Sequence, residues 1–262
     1  MSQQTVNPQL FQKTISVDSS QRYSGSPTDF NIKLPIPQTN MFNKISLLML
    51  DAPKGYYMVD TAVAAASTLV LNDGGVIPVM PFPTDERNYT ASQFAAVLKS
   101  ILDAASVLTG KNETYTVTFL SYSGKFQIVN DSASFFQLTF QGDLFAKYAG
   151  FVADTATNAI VDTIVSPIRV NLQRYDVLFV RSSLSANNGD DVLAEIYMND
   201  VSGLDVLSFK TPDANLYSRA LSNRETDNAR FSIQDKDGNV ISLNGGNWRC
   251  VISLYSYQMK NV

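Results

Sequence analysis

The sequence predicts a mainly β protein, an antiparallel β-sandwich into which a smaller α+β domain is inserted. Short runs rich in Val, Ile, Phe, Tyr and Thr, separated by Gly, Pro, Asn and Asp, recur along most of the 262 residues and indicate strands. One amphipathic helix in mid-chain breaks this pattern. Because the mixed block around the helix is flanked by all-β segments, it suggests an insertion within one sandwich.

The predicted strands are short and rich in β-branched and aromatic residues. They lie at Lys13–Val17, Asp29–Leu34, Lys44–Asp51, Thr68–Leu71, Val76–Met80, Thr114–Ser121, Lys125–Asn130, Phe135–Phe140, Ile168–Asn171, Val177–Ser182, Val192–Asn199, Val206–Phe209, Ala229–Asp235, Val240–Leu243 and Arg249–Tyr257. Two turns are expected to join consecutive strands as hairpins. Ser123-Gly124 lies in the first turn, and Asp237-Gly238, a dipeptide that readily takes positive φ angles, lies in the second.

The helix is predicted over residues 90–105. Thr90 and Gln93 have the spacing of a capping box, in which each side chain binds a free backbone N–H at the start of the helix. The apolar residues behind them repeat at helical spacing and are Phe94, Val97, Leu98, Ile101, Leu102 and Ala105. This stripe predicts a helix packed on a sheet. A shorter helix is predicted at Asp143–Tyr148.

These patterns divide the chain into three parts. Residues 13–52 and 166–262 are expected to form the sandwich, and residues 53–165 the inserted α+β domain. Residues 1–12 are expected to be a flexible N-terminal arm, because they carry no charge and few large apolar side chains, Val6, Leu10 and Phe11. The arm either orders in a groove of an adjacent subunit on assembly or is an ordinary frayed terminus.

Composition argues against several classes of partner. The formal net charge of −4 and the pI near 4.8 leave no basic footprint for nucleic acid, and no Lys/Arg cluster is present to hold an anionic membrane. The first residues lack the basic start and apolar run of a signal peptide, so we expect a protein made without a secretory leader. Charged residues form 17% of the chain, which fits a surface covered by neighbouring subunits and also many extracellular β-proteins.

The chain offers little for catalysis. It has no histidine and a single cysteine, Cys250, so a zinc site of the usual ligand types cannot be built. Asp190 and Asp191 are the best candidates for a metal or acid–base site, but the Asn-Asn-Gly before them favours a polar turn. Motifs for phosphate binding, dinucleotide binding and hydrolysis are absent. We therefore predict no enzyme, and no catalytic, cofactor-binding or metal-binding residue.

Four stretches of the chain carry a resemblance to a viral family. They are "ISVDSSQRYSGSPTDFNIKLP" near the start, "NKISLLMLDAPKGYY" after it, "NYTASQFAAVLKSIL" followed by "YTVTFLSYSGKFQI", and "LFAKYAGF" followed by "FSIQDKDGNVISLNGGNWRCVISLYSY". In content and order they resemble the single-jelly-roll penton, or minor capsid, proteins of virophages, Polinton-like elements and large double-stranded DNA viruses. The matched order spans nearly the whole chain.

The resemblance implies a single jelly roll with an inserted domain, acting as a structural subunit at the vertices of an icosahedral capsid. It implies a homopentamer located in the virion, with the major capsid protein of the same virus as a second partner. A host receptor or glycan is left open as a third partner, because the insertion carries no recognisable receptor motif. Arg22 and Tyr23 lie in the loop between the first strands. Together with Val6, Leu10 and Phe11, they are the residues expected to contact a neighbouring subunit.

One other function is open, and a second is disfavoured by the composition. A glycan- or receptor-binding jelly-roll module could act as an attachment protein, and Trp248 at the head of the last strand could stack on a sugar ring. An aromatic residue at such a position is more often part of the core. A jelly-roll enzyme of the cupin kind would need histidine ligands, which this chain lacks.

Overall fold

A computed structural model describes residues 8–35, 42–83, 87–186, 191–198, 206–214, 216–221 and 228–259. The strands are β1 (Pro8–Asp18), β2 (Ser24–Ser26), β3 (Asp29–Lys33), β4 (Lys44–Pro53), β5 (Thr68–Asn72), β6 (Val79–Pro81), β7 (Tyr115–Leu120), β8 (Lys125–Asn130), β9 (Gln137–Gln141), β10 (Thr157–Asn158), β11 (Thr163–Val165), β12 (Val177–Ser182), β13 (Ser185–Ala186), β14 (Val192–Tyr197), β15 (Val206–Lys210), β16 (Arg219–Leu221), β17 (Asn228–Gln234) and β18 (Arg249–Met259). The α-helices are α1 (Thr61–Ala65), α2 (Ala91–Thr109) and α3 (Asp143–Ala149), and a 3-10 helix spans Ser19–Gln21.

The chain forms two compact units. One consists of Met1–Tyr56 and Tyr175–Val262, and the other of Tyr57–Arg174. The second unit thus begins four residues and ends nine residues after the predicted bounds of 53–165.

The first unit is built from two antiparallel sheets. The strand order is β1-β18-β4-β16-β13 in one sheet, with β15 also on β4, and β14-β12-β17-β3-β2 in the other. The chain changes sheet from β1 to β2, from β3 to β4, from β4 to β12, from β14 to β15, from β16 to β17 and from β17 to β18, and the two-residue β13 between β12 and β14 also lies in the first sheet. This order is that of a jelly roll, and the predicted antiparallel jelly-roll sandwich is confirmed.

The inner faces of these two sheets enclose the core of the first unit. Phe30 on β3 contacts Phe231 on β17 and Trp248 at the start of β18, with ring centroids 6.1 Å and 5.5 Å apart. All three side chains are buried. Burial of each such side chain contributes roughly 1.5–3 kcal/mol. The strands are far apart in sequence, so this core fixes the long-range pairing.

The second unit combines two small sheets with the predicted helix. The sheets have the orders β10-β9-β5-β6 and β11-β8-β7. The capping box of Thr90 and Gln93 is formed at the start of α2, and Gly110, with φ 83°, caps the C-terminus of the helix. It is longer than predicted because the buried Asp73 carboxylate accepts a 2.9 Å hydrogen bond from Thr109 and holds the last turn.

Among the residues that the structure describes, α2 is the helix that is long and apolar enough to cross a membrane by length and composition. Its predicted stripe faces the core of the second unit. Phe94, Leu98 and Leu102 are fully buried there, and Phe94 lies against Phe126 of β8 with ring centroids 5.9 Å apart. By these contacts, α2 is a core helix of the second unit. The second predicted helix, α3, is also confirmed.

Three of the predicted strands differ in the structure. Residues 168–171 form no strand, because the N–H groups of Ile168 and Val170 bond to two different segments, at Gly150 and Gly124. The strand predicted at Val240–Leu243 is reduced to one bridge between Val240 and Gln234. The strand predicted at Val76–Met80 shifts to Val79–Pro81, after Pro78, whose ring nitrogen offers no N–H to a ladder.

The prediction of a flexible arm over residues 1–12 is wrong for residues 8–12. β1 begins at Pro8, and its eleven residues pair antiparallel with β18, from Pro8 opposite Met259 to Asp18 opposite Arg249. The last strand thus supplies backbone partners that offset the entropy of ordering residues 8–12. Pro8 is tolerated because it is the first residue of an edge strand. Residues 1–7 lie outside the described residues.

Candidate assembly surface

The loop between the first strands begins with a hydrogen-bonded carboxylate. Asp18 Oδ1 accepts from the amide and the hydroxyl of Ser20 at 2.8 Å and 2.6 Å, and Oδ2 accepts from Arg249 Nε at 2.8 Å. These donors, the Ser20 hydroxyl first, hold the pKa of Asp18 below its usual value. Asp18 is therefore ionised at neutral pH and fixes the turn to the last strand.

The next residue ties the same loop to the core. Ser19 is buried; its N–H donates to the Trp248 carbonyl at 3.0 Å, and its hydroxyl accepts from Trp248 N at 2.9 Å. The Trp248 indole N–H in turn donates to the Pro27 carbonyl at 2.8 Å. The prediction that Trp248 is a core residue is confirmed. The loop is thus a rigid connection whose start and end are both fastened to the last strand.

The two interface candidates of this loop have different surroundings. Arg22 turns towards its own chain, because its guanidinium donates to the Ser19 carbonyl at 2.7 Å and to Asn247 Oδ1 at 2.9 Å. The Tyr23 side chain is 54% exposed, while its N–H donates to the Asn31 carbonyl at 3.1 Å. Tyr23 is therefore an aromatic group presented on a fixed backbone, and Arg22 helps to fix that backbone.

The apolar candidates of the N-terminal segment lie elsewhere. Phe11 is on β1, where its half-buried side chain packs against the core of its own unit. Leu10 is on the same strand, but its side chain lies outside the described part, as does the whole of Val6. Of the five predicted interface residues, the structure brings Arg22 and Tyr23 together and places Phe11 apart from them. An interface role for all five stays a prediction.

The carboxylates considered for a metal or acid–base site have structural partners. Asp191 lies 2.7 Å from Arg181, and Asp190 is outside the described residues. Asp235 Oδ1 accepts from the amides of Asp237 and Asn239, both at 2.9 Å, which closes the turn at Gly238. Within the described ranges, no three His, Cys, Asp or Glu side chains are grouped so that they could hold a metal ion.

The single thiol is also buried. Cys250 lies in the core of the first unit, and burial raises the pKa of its thiol well above the usual value. The neutral thiol is a poor nucleophile. Cys250 is thus a small core residue in this structure.

Several exposed apolar side chains were not singled out in the sequence. In the second unit Ile160 and Val161 are 82% and 72% exposed in the turn before β11, where Ile160 and Thr163 exchange backbone hydrogen bonds. Val161 has φ 65°, a conformation that costs a β-branched residue about 1–2 kcal/mol. In the first unit Tyr197 is exposed on β14. Single exposed apolar side chains are normal on protein surfaces, so these residues do not by themselves mark a binding site.

Comparison with known proteins gives matches among solved structures. No protein-family model matches the chain, and no curated protein matches it. Among solved structures, the crystal structure of the selenomethionine-labelled mavirus penton protein matches with a TM-score of 0.63 and 10% sequence identity. The match covers 95% of this chain and 100% of the mavirus chain. Because it covers so much of the chain, the shared fold includes residues of both units, the jelly roll and the insertion.

Proposed function

We propose that this chain is a penton-type capsid subunit, which assembles with copies of itself at the vertices of an icosahedral viral capsid. The observation that carries the proposal is the match to the mavirus penton protein across the jelly roll and the insertion. A jelly roll alone serves many functions. A jelly roll interrupted between β4 and β12 by a unit of this size is far more restrictive.

The mechanism in this proposal is geometric. The two sheets bury their inner faces against each other, so the outer faces and the loops remain for neighbours. Copies around a closed ring contact each other through two different surfaces, each repeated in every subunit. Five copies follow from the family resemblance, and contacts of the ring with the major capsid protein would place it at a vertex and in the virion.

Tyr23 is the predicted interface residue that the structure best supports. Its ring is exposed, and the surrounding loop is already ordered by Arg22, Ser19 and Trp248. Ordering the loop before assembly lowers the entropic cost of a contact, and tyrosine contributes a large, rigid apolar surface to interfaces.

The proposal is tested by measuring the solution mass and by negative-stain microscopy of the purified full chain. We expect rings whose mass is five times the 28.8 kDa of one chain. Tyr23→Glu should weaken ring formation at least tenfold, because it places a charge in a contact made by an aromatic ring. Tyr217→Glu is the matched control, since Tyr217 is similarly exposed, at 51%, but lies outside the loop. A chain that forms no rings at high concentration and in the presence of the major capsid protein would overturn the proposal.

A further inference from the structure

Strand β7 forms one edge of the sheet β11-β8-β7 in the second unit. Its sequence, Tyr-Thr-Val-Thr-Phe-Leu, contains neither a charged residue nor proline. Of the described elements, β8 and α2 are those that pack extensively against β7. An edge strand of this kind presents unpaired backbone groups to another chain.

The hydrogen bonds around β7 show which backbone groups face this edge. Asp131 N donates to the Thr114 carbonyl at 2.9 Å and Gly124 N donates to the Leu120 carbonyl at 2.8 Å. Backbone bonds alternate along an antiparallel strand, so residues 114, 116, 118 and 120 face β8. Tyr115, Val117 and Phe119 therefore direct their N–H and C=O groups to the open edge.

Only part of this edge has hydrogen-bond partners among the described residues. Tyr115 N donates to Asp103 Oδ1 of α2 at 2.8 Å. The edge-facing N–H groups of Val117 and Phe119 have no hydrogen-bond partner in the part of the chain that the structure describes. The side chains of Val117 and Phe119 are half-buried, because they pack against the core of the unit. Packing of the side chains thus fixes the backbone of Val117 and Phe119, while their edge-facing N–H groups remain available to another chain.

Other edges in the described residues carry the usual protection against strand pairing. β1 contains Pro8 and Lys13, β14 contains Glu195, and β15 contains Lys210. The edge strands β2, β6, β10, β11 and β13 have at most three residues. At six uncharged residues, β7 is the exception.

The opposite edge of the same sheet offers less to β7 of another copy. On β11, the N–H and C=O groups of Thr163 already bond to Ile160, which leaves Val165 as the edge-facing residue of this short strand. Pro167 follows shortly after and has no N–H. A head-to-tail continuation of this sheet from copy to copy would therefore form fewer hydrogen bonds than the pairing of β7 with a second β7.

We propose that β7 pairs antiparallel with β7 of a second copy. In a register centred on Thr118, Val117 of each copy lies opposite Phe119 of the other, and the two pairs exchange four N–H···O=C hydrogen bonds. On the exposed face Thr118 meets Thr118, and Thr116 meets Leu120. Because β7 has no charged side chain, this pairing brings no like charges together. Pairing of one of the longer protected edges with its own copy would bring together the lysines or the glutamates of the two copies.

This contact has two-fold symmetry and goes beyond the proposed function. Neighbours in a closed five-fold ring meet through two different surfaces, so a β7–β7 contact joins subunits outside one ring. The expected species are dimers of free chains or pairs of rings. Each has twice the mass of the unpaired chain or ring. Ring formation and β7 pairing can therefore succeed or fail independently in one mass measurement.

Amide hydrogen exchange on the full chain tests the pairing directly. We expect the amides of Val117 and Phe119 to exchange at least tenfold more slowly as the protein concentration is raised through the association range. The amides of Thr116 and Thr118, which already bond to β8, should be protected at every concentration. Exchange at Val117 and Phe119 that is fast and independent of concentration would overturn the proposal.

A charge placed on the two-fold axis gives a second test. Thr118→Lys should weaken association at least tenfold, because the two ammonium groups would face each other. Gln127→Lys is the matched control, since Gln127 lies opposite Thr118 on the central strand β8 and shares its face of the sheet. Thermal unfolding should be similar for both variants, because both positions are outside the core. Equal association of Thr118→Lys and the unmodified chain would contradict the register.

Discussion

Arg174 and Asp60 form an ion pair that joins the two ends of the second unit. The guanidinium Nη1 lies 2.5 Å from Asp60 Oδ2 and donates to the Tyr57 carbonyl at 3.1 Å. Asp60 is also the N-cap of α1, because its other oxygen accepts from Val63 N at 2.9 Å. The first and last residues of the inserted unit are thus held together by contacts within the unit.

The pairing of its ends predicts that the second unit folds alone. A chain of residues 57–174 retains its own core and the Arg174–Asp60 pair, so it should give a cooperative thermal transition and dispersed amide resonances. Arg174→Ala in this fragment should lower its stability by about 1–2 kcal/mol, because a partly buried carboxylate loses its cation. A fragment with only random-coil resonances would show that the unit depends on the jelly roll.

Asp60 should make stability depend on pH. Burial raises its pKa, but the Val63 amide and Arg174 outweigh burial, and the pKa lies below its usual value. The folded state therefore binds the proton more weakly than the unfolded chain, and the contribution of Asp60 is complete above the unfolded pKa and is lost as pH falls through the folded pKa. Urea titrations at pH 7, 4 and 3 should show a steeper loss for the unmodified fragment than for Asp60→Asn. Parallel losses would exclude this linkage.

Replacement of Trp248 should destabilise the jelly roll. Trp248→Phe leaves the Pro27 carbonyl without its indole donor and removes buried apolar surface, so we expect a loss of about 2–3 kcal/mol in the free energy of unfolding. Tyr23→Phe is the control and should change stability by less than about 0.5 kcal/mol, because that side chain is exposed. Denaturant unfolding followed by circular dichroism measures both. A loss below about 1 kcal/mol for Trp248→Phe would show that the indole does not hold the loop.

Two truncations test the corrected start of β1. Removal of residues 1–12 deletes the five ladder positions from Pro8 to Gln12, whereas removal of residues 1–7 leaves every pair with β18 intact. We expect the longer truncation to lower the melting temperature by several degrees relative to the shorter one, since it exposes backbone partners on β18 and removes Phe11 from the core. Identical melting temperatures would restore the expectation of an arm that reaches residue 12.

Local signals in the sequence predicted the regular parts of the fold. The capping box and stripe of α2 lie within one segment, and the longer strands carry their own pattern, so both were predictable. The pairing of β1 with β18 was not, because Lys13 and its partner Leu254 are neighbours only in the folded chain. The end of α2 was predicted too early for the same reason, since Asp73 holds it from a distant loop.

The candidate surface was predictable only in part. The sequence placed Arg22 and Tyr23 in a loop but could not show that Asn247 turns Arg22 inward. It also predicted the strand that became β7. Whether a strand lies at an edge depends on the neighbours it acquires, and those are set by packing elsewhere in the unit. The absence of charge in β7 was visible, but its significance required the sheet order.

The function proposed for this chain is that of a vertex subunit of a capsid. Its most direct test is electron cryomicroscopy of particles assembled by co-expression of the chain with the major capsid protein of the same virus. We predict density for a ring of five jelly rolls at each vertex, and particles with open vertices when the chain is left out. Closed vertices without the chain, or particles from which the chain is absent, would contradict the account.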